Sequence, residues 1–292
     1  MITDHRRAVL LLMVCALLWS TAGVFTRLLT RAESFEVTFW RSFFCLLAVL
    51  VAIAFQGRGN AWQVVRRMGL PGLISGVMWS VMFTCFMVAL TRTSTANTML
   101  VVGLSPLLTA LLAWAVLGER VRAGTWVSIA AALIGIVWMV HAGVSTQGLL
   151  GMLIALGVPI AAAINLVVLK KMHAQADLAP AVLTGAVISC VVSLPVAWPL
   201  SATPGDLAIL ALLGVTQLAI PCLLMVRAAR HLAPHEIALI GLLEMVLGPI
   251  WAWLGAGEAM APATVQGGLL VLAALAFNAW LSRGSPARAV AP

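Results

Sequence analysis

Residues 104–122 read LSPLLTALLAWAVLGERVR, and residues 243–261 read LEMVLGPIWAWLGAGEAMA. Both stretches begin with leucine, carry a tryptophan in the middle and reach a Gly-Glu pair near the end, and each shared position recurs after 139 residues. Internal similarity at a fixed distance indicates a fold built from related units. The repeat therefore predicts two halves, residues 1–143 and 144–284, followed by a short tail of residues 285–292.

The composition predicts which solvent these halves face. The chain has 292 residues, of which 63% are hydrophobic and 9% are charged, whereas soluble domains carry about 25% charged residues. A helix that crosses the hydrocarbon core needs about 20 mostly apolar residues. Ten runs meet that condition: 8–28, 34–55, 69–91, 94–117, 123–141, 148–170, 178–198, 206–229, 234–255 and 262–282. The sequence thus predicts an all-α integral membrane protein of ten transmembrane helices.

The first run needs a separate argument. His5-Arg6-Arg7 and the apolar residues after them resemble a secretory signal peptide. The apolar character continues through Val24 and Phe25, however, and comparable runs follow along the whole chain. We expect residues 8–28 to be retained as the first helix.

Basic residues predict the orientation of the helices. Cytoplasmic loops of membrane proteins are enriched in Lys and Arg. With the N-terminus inside, only Arg27, Arg31 and Arg92 fall on the outer side, and Arg41 lies within a run. The net charge of +8 is spread singly or in pairs between apolar runs, which argues against nucleic-acid binding. We predict that both termini lie in the cytoplasm.

The two halves are expected to be inverted relative to each other. Each half has five helices, and an odd number makes the second half enter the membrane from the opposite side. In agreement, Gly118-Glu119 is followed by Arg120 and Arg122, whereas Gly257-Glu258 is followed by no base. Inverted repeats are typical of secondary transporters, whose substrate sites lie near the membrane midplane between the halves.

Several short motifs recur in a fixed order: Trp19-Ser20, Phe39-Trp40-Arg41, residues 104–107, residues 117–120 and residues 254–258. In this order and spacing the chain resembles the drug/metabolite transporter superfamily, specifically its ten-helix EamA-type exporters, and among these the YddG-type amino-acid exporters. The resemblance implies a central cavity lined by helices one, three, four, six, eight and nine, with no cofactor and no enzymatic activity. It also implies export of amino acids, aromatic ones included, or related small metabolites across a bacterial inner membrane by alternating access.

Glu244 is the sharpest candidate for a functional side chain, because it falls near the middle of the ninth run. A charge at the bilayer centre costs about 2.5–3.5 kcal/mol or more, and such residues usually face a wet cavity or a partner. Glu244 is interpreted either as the group that binds a substrate ammonium or takes up a coupled proton, or as a neutral carboxyl group hydrogen-bonded between helices.

Other polar or aromatic residues on the expected cavity helices complete the candidate binding set: Trp19, Ser20, Trp79, Ser80, Ser105, Asn165 and Gln217. Prolines within the runs, which free backbone carbonyls and allow bending, form a conformational set: Pro106, Pro159, Pro221 and Pro249. Met245 stands where the first copy has Pro106, so the ninth helix is expected to bend differently from the fourth. Arg41 could meet a substrate carboxylate, extend its charge to the interface or pair with Glu36, and we favour a structural role because the second helix lies outside the expected cavity wall.

The remaining sequence features exclude several functions. The chain has no Gly-rich lysine loop for ATP, no His-Glu-x-x-His motif and no cysteine spacing that suggests zinc. An exporter of aromatic organic cations is the nearest alternative, since Glu244, Trp19 and Trp79 suit a cation. A membrane enzyme acting on lipids and a membrane scaffold are the further alternatives. No motif specifies an oligomeric state.

Overall fold

The computed structural model describes residues 2–55, 66, 68–118, 121–141, 145–171, 178–228, 232 and 234–282. All regular structure in these residues is helical. The α-helices are α1 (Ile2–Ser20), α2 (Ala22–Arg27), α3 (Ser34–Phe55), α4 (Gly69–Arg92), α5 (Thr95–Val102), α6 (Ser105–Leu117), α7 (Ala123–His141), α8 (Thr146–Ala155), α9 (Gly157–Lys171), α10 (Leu178–Ala197), α11 (Pro204–Leu212), α12 (Ile220–Ala228), α13 (Pro234–Ala256) and α14 (Pro262–Ser282). A π-helical segment, Leu213–Ala219, joins α11 to α12.

The apolar runs of the sequence correspond to the helices. Within the described ranges, nine helical segments are long and apolar enough to cross a membrane, and Ile240–Ala256 is a shorter apolar helix. This shorter helix occupies the position of the ninth run. The all-helical membrane fold is therefore confirmed, while a count of ten crossings and the inverted orientation of the halves stay predictions.

Several of the helices that cross the membrane are interrupted near their middle. Thr21 separates α1 from α2, and the hydroxyls of Ser20 and Thr21 donate to the carbonyls of Leu17 and Leu18 instead of to solvent. Short breaks also separate α5 from α6 and α8 from α9, and the π-helical segment interrupts the stretch from α11 to α12. Discontinuous helices are a common way for transporters to build a site near the midplane.

The four prolines of the conformational set stand in different relations to these breaks. Pro106 and Pro159 lie in the first turn of α6 and α9, where the missing N–H has no helical partner to lose. Pro221 follows the π-helical segment directly after Ile220, and Pro249 lies inside the continuous helix α13. Their positions therefore match the breaks in three of the four cases. Their part in bending stays a prediction.

The helices α3, α4 and α10 pack together on one side of the molecule, and α7 pairs with α14 on the other. Small residues allow the close approach between α4 and α10. A Cβ added at Gly185 would lie 2.6 Å from the Cβ of Trp79, and one added at Gly76 would lie 2.7 Å from Cγ2 of Thr184. The pair α7 and α14 exposes many large apolar side chains, Trp138 and Leu269 among them, as expected of helices that face lipid.

Buried carboxylates hold the loops together at the end of the bundle that the charge pattern places outside. Asp206, which is 1% exposed, accepts hydrogen bonds from the backbone N–H groups of Thr30, Arg31 and Thr203 at 2.8, 3.2 and 3.1 Å. It also forms the capping box of α11 with Thr203. One carboxylate thus joins the loop after α2 to the start of α11.

We expect Asp206→Ala to lower the free energy of unfolding by about 2–4 kcal/mol, because several buried N–H groups lose a charged acceptor at once. The measurement is thermal unfolding of purified protein in detergent, with Glu33→Ala as the control, since Glu33 is exposed. Equal unfolding temperatures for the two variants would contradict the role of Asp206 as a link between loops.

Candidate functional site

The most unusual polar group of the described residues is the guanidinium of Arg41, in α3. It is only 2% exposed. Its Nε and Nη2 both donate to Oε1 of Gln217, at 3.0 and 2.7 Å. The guanidinium carbon lies 5.7 Å from the centroid of the Phe86 ring in α4. Its Nη1 is buried and has no hydrogen-bond partner.

This environment corrects the two structural interpretations of Arg41. An arginine whose charge reaches the interface would be exposed at its tip, whereas Arg41 is sealed inside the bundle. Pairing with Glu36 is also wrong, because Glu36 accepts hydrogen bonds from the backbone N–H groups of Ser201 and Ala202, each at 2.8 Å. Spacing along one helix made the pair plausible, but the loop before α11 lies closer to Glu36 and supplies better donors.

Gln217 is presented to Arg41 by the π-helical segment. Because Pro221 has no N–H, the carbonyl of Gln217 cannot receive the usual α-helical hydrogen bond. The backbone N–H of Ile220 instead bonds the carbonyl of Val215, five residues back. The side chain of Gln217 donates from Nε2 to the carbonyl of Trp19 at 3.3 Å. Single π turns inside helices are frequent at functional sites, and this one ties α1, α3 and the eighth apolar run together.

Glu244 lies on α13 and is half-buried. It interacts electrostatically with Arg41, but neither a hydrogen bond nor an ion pair joins the two in the part of the chain that the structure describes. The facing surface belongs to α1. Trp251 of α13 donates from Nε1 to Oγ of Ser20 at 3.0 Å, and a Cβ added at Gly248 would lie 3.6 Å from the Ser20 carbonyl. Arg41 and Glu244 therefore flank the break in the first apolar run from two sides.

The aromatic candidates lie beside this charged pair. Trp19 and Trp79 pack against the same buried cluster, which includes Cys45 and Phe83. The Nε1 of Trp79 is buried without a hydrogen-bond partner. Ser20, Trp19 and Gln217 are thus brought together with Arg41, and Trp79 borders them through the shared cluster.

Three predicted site residues are not drawn into this group by any hydrogen bond of the described chain. Ser105 donates from Oγ to the carbonyl of Val102 within its own turn, at 2.6 Å. Asn165 lies on α9, and its buried Oδ1 has no partner. Ser80 is buried on α4 next to Trp79. Their part in binding stays a prediction.

A cavity of about 450 Å³ lies at the predicted outer end, not at the midplane. Its polar lining includes Arg27, Arg92, Asn97, Glu258 and Thr264. Glu258 pairs with Arg27, with 2.8 Å between Oε2 and Nε. It also accepts from the backbone N–H and the hydroxyl of Thr95, at 2.6 and 2.8 Å. This outer latch, formed by Arg27, Thr95 and Glu258, joins the end of α2, the start of α5 and the loop after α13.

The turn that carries Glu258 has a partner in the first half. Gly257 has a φ of +66° and Gly118 a φ of +68°, a left-handed conformation that favours glycine. The two glycines are the ones that recur after 139 residues in the sequence. Glu119, which follows Gly118, lies outside the described residues.

Comparison with known proteins assigns the chain. The model of the EamA-like transporter family matches residues 6–141 and again residues 149–280. The chain belongs to the EamA-like transporter family.

Two characterised relatives of this EamA-like chain are similar over most of their length. The chain is 27% identical to the S-adenosylmethionine uptake transporter of Rickettsia prowazekii (strain Madrid E), over 85% of this chain and 83% of the relative. It is 24% identical to the pseudopaline exporter CntI of Pseudomonas aeruginosa (strain UCBPP-PA14), over 82% of this chain and 84% of the relative. One relative imports its substrate and the other exports it.

A solved crystal structure of another protein has the same fold. It covers 95% of this chain and 98% of its own, with a TM-score of 0.66 and 20% sequence identity. At that level of identity the likeness concerns the fold alone. The EamA-like family and the metabolite transport of the two relatives support a transporter rather than an enzyme.

Sequence reasoning on this EamA-like chain undervalued Arg41 and did not pair Arg27 with Glu258. The signal for Arg41 was its position, because it was the one base within an apolar run. The signal for Glu258 was the Gly-Glu repeat, which marked a turn but not the residues it would meet.

Proposed function

We propose that this EamA-like transporter is a secondary carrier of amino acids or related small metabolites, and that it works as an exporter by alternating access. The observation that carries the proposal is the pair of opposite charges, Arg41 and Glu244, held in the membrane interior beside the broken first run. Charges inside a membrane span usually mark a substrate or ion pathway. The substrates named for the two relatives, S-adenosylmethionine and pseudopaline, are small metabolites.

In the proposed site, Glu244 binds the cationic group of the substrate, and Trp19 and Trp79 form an amphipathic wall with Ser20, Ser80 and Gln217. Ser105 and Asn165 belong to the opposing wall. An ammonium group beside tryptophan rings and a carboxylate is attracted to both. The prolines Pro106, Pro159, Pro221 and Pro249 supply the places where helices bend.

Two inverted five-helix halves account for the packing of the helices. If α1 and α2 correspond to α8 and α9, and each later helix to its counterpart, every major contact has a mirror image. The packing of α9 against α4 and α6 corresponds to that of α1 against α12 and α13, and the packing of α10 against α4 corresponds to that of α3 against the π-helical segment. The double match of the family model supports the same division. Such a pseudo-symmetric pair of halves can rock about a central site.

The proposed topology places both termini in the cytoplasm and the protein in a bacterial inner membrane. The outer latch then lies on the outer face, where it closes the route from the central site to the outside. Export requires this latch to open while the opposite face closes.

Counterflow in proteoliposomes tests the function. Purified protein is reconstituted, and uptake of labelled amino acids is measured with and without an imposed pH gradient, against liposomes without protein. We expect saturable uptake of at least one amino acid, and dependence on the gradient would identify proton coupling. No saturable uptake of any amino acid would contradict the amino-acid assignment.

An exporter of organic cations is the second candidate, favoured by the half-buried Glu244 beside Trp19 and Trp79. The same proteoliposomes test it with labelled tetraphenylphosphonium, which carries a permanent positive charge and no carboxylate. Saturable uptake of this cation in the absence of amino-acid uptake would establish the second candidate in place of the first.

A further inference from the structure

We infer that Arg41 binds the carboxylate of the substrate, so that the substrate class is a zwitterion with an ammonium and a carboxylate group close together, and not a simple organic cation. The inference rests on the proposed function, since it assigns a ligand to the same central site. It reverses the role that the sequence suggested for Arg41.

The hydrogen bonds of Arg41 leave room for one more acceptor. Arginine carries five N–H groups in a planar fork and no acceptor of its own. Nε and Nη2 share a single neutral oxygen, Oε1 of Gln217, while Nη1 is buried and unpaired. Buried charged groups are normally paired with an opposite charge. The described residues provide Arg41 with an amide and an aromatic ring, but no carboxylate in direct contact.

Gln217 holds the guanidinium so that this free edge cannot turn away. Its Oε1 accepts two N–H groups of Arg41, and its Nε2 is fixed by the carbonyl of Trp19. The Phe86 ring covers the face of the guanidinium. An arginine fixed on one edge and one face offers its remaining edge, which is the geometry that recognises a carboxylate.

Glu244 supplies the second half of the argument. It interacts with Arg41 at a distance that allows neither a hydrogen bond nor an ion pair. A substrate with both charges satisfies both side chains when it enters between them. A simple cation would neutralise Glu244 and leave Arg41 as a buried charge without an anion, which is the costlier arrangement.

The seal around Arg41 shows when binding can occur. At 2% exposure, Nη1 is out of reach of solvent, so a carboxylate reaches it only when helices separate. The break between α1 and α2 and the π-helical segment both border Arg41, and these are the places where the backbone is least continuous. Substrate entry and helix movement are therefore expected to be coupled.

The test compares matched probes in proteoliposome uptake. Tryptophan and methionine carry both charges, tryptophanamide and methioninamide lack the carboxylate, and tetraphenylphosphonium is a simple cation. Losing one charge-assisted hydrogen bond to a buried arginine corresponds to about 10- to 100-fold in affinity. We expect the unaltered protein to prefer the acids over their amides by that factor, and Arg41→Gln to reduce the ratio to near one.

Gln217→Glu gives an independent variant that keeps the shape of the site. The new carboxylate replaces the amide that Arg41 already contacts, so it competes with the substrate. We expect amino-acid uptake to fall at least tenfold while the protein elutes as a single folded species, and the acid-to-amide ratio to fall as well. Arg31→Gln is the matched control, because the Arg31 side chain is exposed, and it should leave the ratio unchanged.

The outcomes separate the two proposals. Acids and amides taken up equally well by the unaltered protein would overturn the carboxylate assignment and leave the transport function standing. A ratio that stays at the unaltered value in Arg41→Gln and Gln217→Glu would show that Arg41 only pins α3 to the π-helical segment. No uptake of any probe would overturn the proposed function and this inference together.

Discussion

Glu244→Gln is expected to lower the rate of amino-acid uptake at low substrate concentration by about 100-fold or more. Removing one partner of a buried, hydrogen-bonded charge pair costs about 2–5 kcal/mol, and each 1.4 kcal/mol corresponds to a factor of ten. Glutamine keeps the size of the side chain and its hydrogen bonding, so the loss reports the charge. The measurement is initial uptake in proteoliposomes with equal amounts of inserted protein.

The control for this variant is Glu33→Gln, which removes the same charge from an exposed position near the start of α3. Its uptake should equal that of the unaltered protein. If Glu244→Gln also transports normally, Glu244 is a neutral carboxyl group that joins helices, and the binding of an ammonium group would have to be assigned elsewhere. If only the response to the pH gradient is lost, Glu244 carries the coupled proton and not the substrate.

Glu258→Gln is expected to open the outer end of the bundle. Glu258 accepts hydrogen bonds from Arg27 and from both donors of Thr95, so one substitution weakens every bond of the latch. Because Arg27 and Glu258 are partly exposed, with 28% and 16% of their side chains accessible, we discount the loss to about 1–2 kcal/mol. That change increases the open population about 5- to 30-fold.

Labelling of a buried reporter measures this opening. Ala22 lies on α2, below the latch, and is fully buried. With the five native cysteines replaced and Ala22→Cys introduced, a membrane-impermeant maleimide added from outside should react faster when Glu258→Gln is present. Glu33→Gln again provides the control. Equal labelling rates would show that the latch does not close the outer route.

The latch also explains why one half of the repeat could be interpreted further than the other. Gly257 and Gly118 share a left-handed turn, and the sequence pattern located both. The turn only directs the next residue back toward the bundle. Which donors it meets depends on the start of α5 and the end of α2, which are far from it in the chain.

The candidate site shows the same division. Trp19, Ser20, Gln217 and Glu244 were found from the sequence because polar and aromatic residues in the middle of an apolar run are costly and therefore conspicuous. Arg41 was given a structural role, because helix spacing offered Glu36 as a partner and the second run lay outside the expected cavity wall. The structure replaces that partner with Gln217, 176 residues away.

The sequence by itself determined the apolar runs and their helical state, the repeat after 139 residues and the positions where charge enters the membrane. These follow from local physics, because a backbone in lipid must satisfy its own hydrogen bonds and a helix needs about 20 apolar residues to cross. The tertiary structure alone decided that Arg41 meets Gln217 and Phe86, that Glu244 stands near but not against Arg41, and that Glu258 fastens Arg27 and Thr95. In lipid all faces of a helix are apolar alike, so hydropathy does not specify how each helix is rotated, and only the close packing of small residues and the pairing of buried polar groups fix which side chains meet.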